Sequence, residues 1–102
     1  MEQILPIAIP QSELAKFCQR HHIRKLSLFG SVLREDFGEE SDVDFLVEFV
    51  PGKVPGYLRL AGMENQLSDL ISRKADLRTR EELSLYFREE VLNLAVVQYV
   101  QN

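Results

Sequence analysis

The chain has 102 residues, enough for one domain with one core over 1–102 and too few to divide between two. Hydrophobic residues make up 45% and charged residues 27%, the balance of a folded globular protein rather than a disordered one. A net charge of −4 and a pI near 5.1 argue against a long nucleic acid as partner, although a single nucleotide needs only a local site and a metal.

The opening MEQILPIAIP has an acidic residue and two prolines but no basic start and no long apolar run, so no secretory signal is expected. No stretch reaches the roughly 18 apolar residues of a membrane span, and a cytoplasmic protein is expected. The lone cysteine, Cys18, precludes an internal disulfide and suits a reducing compartment. Over residues 12–22, Leu14, Phe17, Cys18 and His21 recur at helical spacing, which predicts an amphipathic helix. RKLSLF, residues 24–29, reads as a short strand. Gly30 and Ser31 end it, and Ser31 is placed to cap a short helix reaching about Glu35.

The clearest strand runs over 42–50. Val43, Phe45, Val47 and Phe49 alternate with Asp42, Asp44, Leu46 and Glu48, so the first set faces the core and the second the opposite side. VPGKVPG, residues 50–56, is a loop. Leu60, Met63, Leu67, Leu70 and Ile71 stripe a helix over 57–72. ADLR, residues 75–78, reads as a third strand with Asp76 and Arg78 away from the core. Thr79 and Glu82 then fit a capping box, so a helix is expected to begin there. The C-terminal stretch reads as helical with two apolar stripes, Leu83–Phe87–Val91–Leu94 and Leu85–Leu92–Val96–Tyr99. Either the second stripe meets a protein partner or a second copy, or a break near Tyr86 lets two helices bury one stripe each. The expected class is α/β: a small mixed sheet with helices on one face and the acidic residues on the other.

Asp42 and Asp44, two apart on one strand, have Cα atoms about 6.6 Å apart and point the same way. Two bare carboxylates about 4 Å apart repel by roughly 4 kcal/mol at an intermediate dielectric, and a divalent cation offsets that. Hard oxygen ligands suit Mg²⁺, and Asp76 on a neighbouring strand supplies a third carboxylate. Three carboxylates with open metal positions suit phosphoryl or nucleotidyl transfer. Gly30 admits a phosphate close to the backbone, where the Ser31 hydroxyl and the amides beyond it can hold the anion. Gly-Ser and Asp-x-Asp, ten residues apart in GSVLREDFGEESDVDF, are thus two halves of one nucleoside-triphosphate site.

Gly30-Ser31, ten residues, then Asp42-Val43-Asp44 resembles the signature of the DNA polymerase beta-type nucleotidyltransferases. GSVLREDFGEESDVDFLVEF is similar to the minimal nucleotidyltransferase branch of that superfamily, KADLRT supplies Asp76, and LSLYFREEVLNLAVVQY resembles the family's C-terminal helix. The resemblance covers nearly the whole chain and implies the polymerase beta-like fold. It implies that Gly30 and Ser31 hold the triphosphate of ATP, that Asp42 and Asp44 bind two Mg²⁺, and that Asp76 binds one metal and serves as base to an acceptor hydroxyl. It also implies a partner, a HEPN-type RNase toxin encoded alongside. The minimal nucleotidyltransferase is its antitoxin and attaches AMP to a toxin tyrosine. Two rival functions stand beside this one. The chain could neutralise its partner by binding and occlusion, or the same site could serve a small molecule or an RNA end.

Other residues have plainer expectations. Glu39, Glu40 and Glu48 read as surface charges, and Glu48 lies about 13 Å along the strand from Asp44. His21 and His22 lack i, i+4 metal spacing, and His21 reads as a packed histidine. Cys18 reads as core. Arg34, Arg78 and, in the loop, Lys53 are basic residues that could meet phosphates, with surface roles as the alternative. Tyr57, Tyr86 and Tyr99 read as packing or interface residues.

Overall fold

The computed structural model describes residues 5–101. In chain order these form helix α1 (Gln11–Arg20), strand β1 (Ile23–Phe29), a 3-10 turn (Gly30–Leu33), β2 (Val43–Phe49), α2 (Tyr57–Ile71), β3 (Ala75–Arg78), a second 3-10 turn (Arg80–Glu82), α3 (Arg88–Leu94) and β4 (Val96–Val100). The sheet order is β3-β2-β1-β4. β1 is antiparallel to β2 and to β4, and β2 is parallel to β3, so the sheet is mixed as expected.

Alternation builds the core. Leu26 and Leu28 of β1 lie opposite Val47 and Phe45 of β2, and Val43 and Phe45 lie opposite Ala75 and Leu77 of β3. All are buried, together with Leu14, Phe17 and Cys18 of α1 and Met63, Leu67 and Ile71 of α2. The two longer helices therefore cover one face, with the apolar stripes read from the sequence turned onto it. The opposite register carries Phe29, Asp44 and Asp76, and this is the acid face.

Three expectations are corrected. Ser31 does not cap a helix: residues 30–33 form a 3-10 turn without a side-chain cap, and the Ser31 hydroxyl points elsewhere. The Thr79–Glu82 capping box forms, with the Thr79 amide donating to Glu82 Oε1 at 3.0 Å, but it closes a three-residue 3-10 turn instead of opening a helix. The C-terminal stretch is not one helix. The chain breaks around 84–87, as one of the two expectations allowed, yet the short α3 leads into strand β4 rather than into a second helix.

The reason lies in spacing. Val96 and Tyr99 are three apart, which mimics a helix face, but they lie opposite Leu28 and Leu26, which are two apart. The pairing shifts register between Tyr99 and Val97, and a β-bulge there absorbs the additional residue, Gln98. Without β4 the edge of β1 would be left without a strand partner.

β3 and β4 are parallel to each other at opposite edges, so residues 79–95 must cross the sheet. A right-handed crossover in this direction runs over the face opposite α2, the acid face. Accordingly the Arg80–Glu82 turn packs on β2, and Ser27 and Leu46, facing each other on that side, are buried.

Candidate functional site

The site collects at one end of the sheet. β1 finishes there, while β2 and β3 begin there, so Phe29 and Asp76 flank Asp44 in register on its two sides. Asp44 is the centre of this arrangement. Its carboxyl is raised above the ordinary aspartate range by burial and then by the negative charge of Asp76, with Asp42 adding to the rise. Arg78 and Arg34 work in the opposite direction. Both arginines left open between phosphate and surface roles thus lie within Coulombic reach of the central carboxylate. Lys53 does not share the site. It lies beyond the far end of β2, about 20 Å along the strand direction from Asp44.

Gly30 is required for a reason beyond room for a ligand. It has φ +77°, and a Cβ added to it would fall 2.6 Å from Asp44 Oδ2. Gly-Ser and Asp-x-Asp therefore meet directly. Ser31 makes the second link, its Oγ donating to the Asp42 carbonyl at 3.3 Å. Asp42 precedes β2, and its Oδ2 lies 3.7 Å from Lys74 Nζ, both side chains being well exposed.

Several supporting residues carry no sequence motif. The Arg73 guanidinium donates to the Gly38 carbonyl at 2.6 Å and the Ser41 carbonyl at 2.8 Å, and lies 4.6 Å from the Phe37 ring centre. It fastens the ten-residue connection that separates the two motifs. On β3 the Leu77 amide donates to Glu64 Oε2 at 2.7 Å and the Ala75 amide to Ser68 Oγ at 2.8 Å. Side chains of α2 thus occupy the outer edge of β3 on either side of Asp76. Only the contacts reveal these roles, since a Glu and a Ser on a polar helix face look like any solvated pair.

Among the described residues, no three His, Cys, Asp or Glu side chains gather tightly enough to hold a metal ion by themselves. His21 is packed as expected, 4.9 Å from the Phe17 ring centre and 2.8 Å from Gln66 Oε1 through Nε2. Burial pushes the Cys18 thiol up to about 12, which leaves it inert as a nucleophile. Glu48 pairs with Arg24 at 3.0 Å on the surface. A cavity of about 500 Å³ opens beside Gly30, walled by Phe29, Leu33, Arg34 and, from the crossover, Phe87, Glu90 and Leu94.

The mixed sheet with Gly-Ser set against Asp-x-Asp defines a nucleotidyltransferase. The profile of the nucleotidyltransferase domain family matches residues 12–97, and the chain belongs to that family. It is 32% identical to the protein adenylyltransferase MntA of Thermococcus cleftensis over 76% of this chain and 77% of that protein. It is also 32% identical to a Methanocaldococcus jannaschii protein provisionally named a protein adenylyltransferase, over 76% and 81% of the two chains. A solved structure provisionally described as a minimal nucleotidyltransferase superposes with a TM-score of 0.68 at 31% identity, covering 84% of this chain and 86% of that one. A toxin–antitoxin complex with AMP-PNP gives a TM-score of 0.71 at 14% identity over 92% and 76% of the chains. A Shewanella oneidensis complex of tri-AMPylated HEPN toxin with its MNT antitoxin gives 0.63 at 15% over 89% and 70%. These last two likenesses concern the fold alone. Among the described residues no helix is long and apolar enough to cross a membrane.

Proposed function

We propose that this nucleotidyltransferase moves AMP from Mg-ATP to a tyrosine hydroxyl of a HEPN-type RNase toxin, and that it acts thereby as an antitoxin. The observation that carries the reading is the contact between the two motifs: Gly30 has no side chain where one would strike Asp44 Oδ2 at 2.6 Å. A turn suited to phosphate is thereby held against a carboxylate whose charge is opposed by burial and by Asp76 and Asp42. That excess of negative charge fits divalent cations. Asp42, Asp44 and Asp76 would hold two Mg²⁺ only together with phosphate oxygens and water, since no three such side chains among the described residues gather tightly enough to hold an ion by themselves. When bound, the metal supplies charge neutralisation at the phosphates undergoing displacement.

Each of the chain's own residues has a distinct part. The backbone at Gly30 and Ser31 receives the triphosphate, while Arg34 and Arg78 add positive charge on the same side. The cavity beside Gly30 gives the nucleoside room between apolar walls. Asp76 accepts the proton of the attacking hydroxyl. The acceptor oxygen forms its bond to the α-phosphorus as the bond to pyrophosphate breaks. The names of the relatives and the toxin complexes among the structural neighbours support this choice of donor and acceptor.

The test is the intact mass of the HEPN-type protein after incubation with this chain and Mg-ATP. A gain of AMP units, absent with Asp44→Asn, is expected. A stable complex with no gain in mass would replace transfer with inhibition by occlusion.

A further inference from the structure

Leu85, Tyr86, Phe87 and Leu94 are exposed by 79%, 94%, 61% and 62%. Tyr86, Phe87 and Leu94 form one surface, since Leu94 shares a groove with Tyr86 and the cavity beside Gly30 with Phe87, and Leu85 precedes Tyr86 in the same turn. The exposure is built. Arg88 donates to the Glu81 and Leu83 carbonyls at 3.2 and 3.1 Å, and the Phe87 and Arg88 amides both return to the Ser84 carbonyl. A segment tied so closely presents apolar side chains outward against the usual gain from burying them. Phe87 and Leu94 line the cavity and yet remain largely open to solvent, so the cavity has an incomplete wall on this side.

Charge selects the occupant. Glu89 and Glu90 line the groove with Tyr86 and Leu94, while Arg88 between the apolar residues is spent on backbone carbonyls. A second copy meeting this surface about a two-fold axis would set Glu89 and Glu90 against themselves, in a chain already at −4. We infer that Leu85, Tyr86, Phe87 and Leu94 dock a protein partner presenting an apolar element flanked by lysine or arginine, and that this partner completes the wall of the cavity beside Gly30. The inference rests on the proposed function for the partner's identity, and it places partner and nucleotide side by side.

The experiment is calorimetric titration of the full chain with the HEPN-type protein, without nucleotide, so that failed transfer chemistry leaves the result untouched. Leu85→Ser/Tyr86→Ser is expected to weaken binding by about tenfold or more, and Glu89→Lys/Glu90→Lys to do likewise. Raising the salt should weaken the wild-type complex. Val54→Ser/Leu58→Ser, an exposed apolar pair at the far end of the sheet, should bind as wild type does. Thermal melts verify folding, and the charge reversal serves as the readout if the apolar variant does not fold. Wild-type affinity in both the Leu85/Tyr86 and the Glu89/Glu90 variants, a loss confined to the Val54/Leu58 variant, or no binding by the wild type would overturn the inference. So would a dimer of the chain alone that Leu85→Ser/Tyr86→Ser dissolves.

Discussion

Gly30→Ala separates two demands that the structure places on one residue. The first is conformational. At φ +77° a side chain costs about 1–2 kcal/mol. The second is steric. The new Cβ lies 2.6 Å from Asp44 Oδ2, so the carboxylate must retreat by about 0.8 Å to reach ordinary contact. Gly52 provides the control, since it has φ +82° with nothing within 4 Å of its would-be Cβ. Gly52→Ala therefore carries the conformational cost alone, at the end of the sheet away from Asp44.

For a domain of this length, 1–2 kcal/mol corresponds to a Tm lowered by about 5–15 °C, and both variants should show it. Transfer should respond differently. A displacement near 1 Å at a reacting centre costs about 10²-fold in rate, so Gly30→Ala should lose about that much below its melting range while Gly52→Ala keeps wild-type rate. The assay is initial-rate AMP transfer at a temperature where circular dichroism reports both variants folded. Equal activity in the two variants would refute the claim that the Gly30 approach to Asp44 is functional.

Asp44→Asn should abolish transfer and leave the fold intact. It should also raise Tm at neutral pH. The folded-state pKa of Asp44 is raised, so the protonated form favours folding below the unfolded value, and that contribution is lost as pH rises through the folded one. The Tm gap between variant and wild type should therefore narrow on acidification, and a gap that widens would contradict the burial and charge argument. Saturating Mg²⁺ should raise the Tm of the wild type and not of Asp44→Asn, by the linkage expected of a ligand that binds only the folded state. Arg73→Ala removes two donors from the loop carbonyls and should cost about 1–3 kcal/mol, with faster hydrogen exchange at Gly38 and Ser41. Glu64→Ala leaves the Leu77 amide without its acceptor and should cost about 1–3 kcal/mol, with exchange at Leu77 as the specific readout.

The parts of this molecule that were legible in the sequence are those where one period governs. Alternation over 43–49 fixed which face holds Asp44, and the i, i+3, i+4 stripe of 57–71 fixed which side of α2 is buried. The region beyond Thr79 was misread because local signals there serve other ends. The capping box is real but stops at a 3-10 turn, and Val96 and Tyr99 acquire helical spacing from a bulge. In the site, Gly30, Ser31, Asp42, Asp44 and Asp76 form a pattern that a sequence can carry. The near-collision of Gly30 with Asp44 depends on how two strands meet, and the roles of Arg73, Glu64 and Ser68 depend on which carbonyls and amides lie across a gap. No spacing encodes either.

Those unannounced residues explain how like charges stay together. Asp76 and Asp42 both oppose ionisation of Asp44, and a flexible scaffold would relieve that by letting the strands part or the loop swing away. Glu64 and Ser68 hold β3 by amides on either side of Asp76, so that carboxylate cannot drift from its register with Asp44. Arg73 clamps the carbonyls of Gly38 and Ser41, and Ser31 holds that of Asp42, so the third carboxylate is fixed from its own backbone. Gly30 leaves Asp44 its position by having no Cβ. With motion restrained on each side, a proton or a cation is the remaining means of relief. Proton and cation compete, since each relieves the same charge at Asp44. Loosening any one clamp should therefore weaken Mg²⁺ binding while making the apo protein less sensitive to pH. Arg73→Ala and Glu64→Ala can be compared with wild type for both properties. Weaker Mg²⁺ binding with undiminished pH sensitivity would show that the clamps shape the ligand geometry without holding the charges against one another.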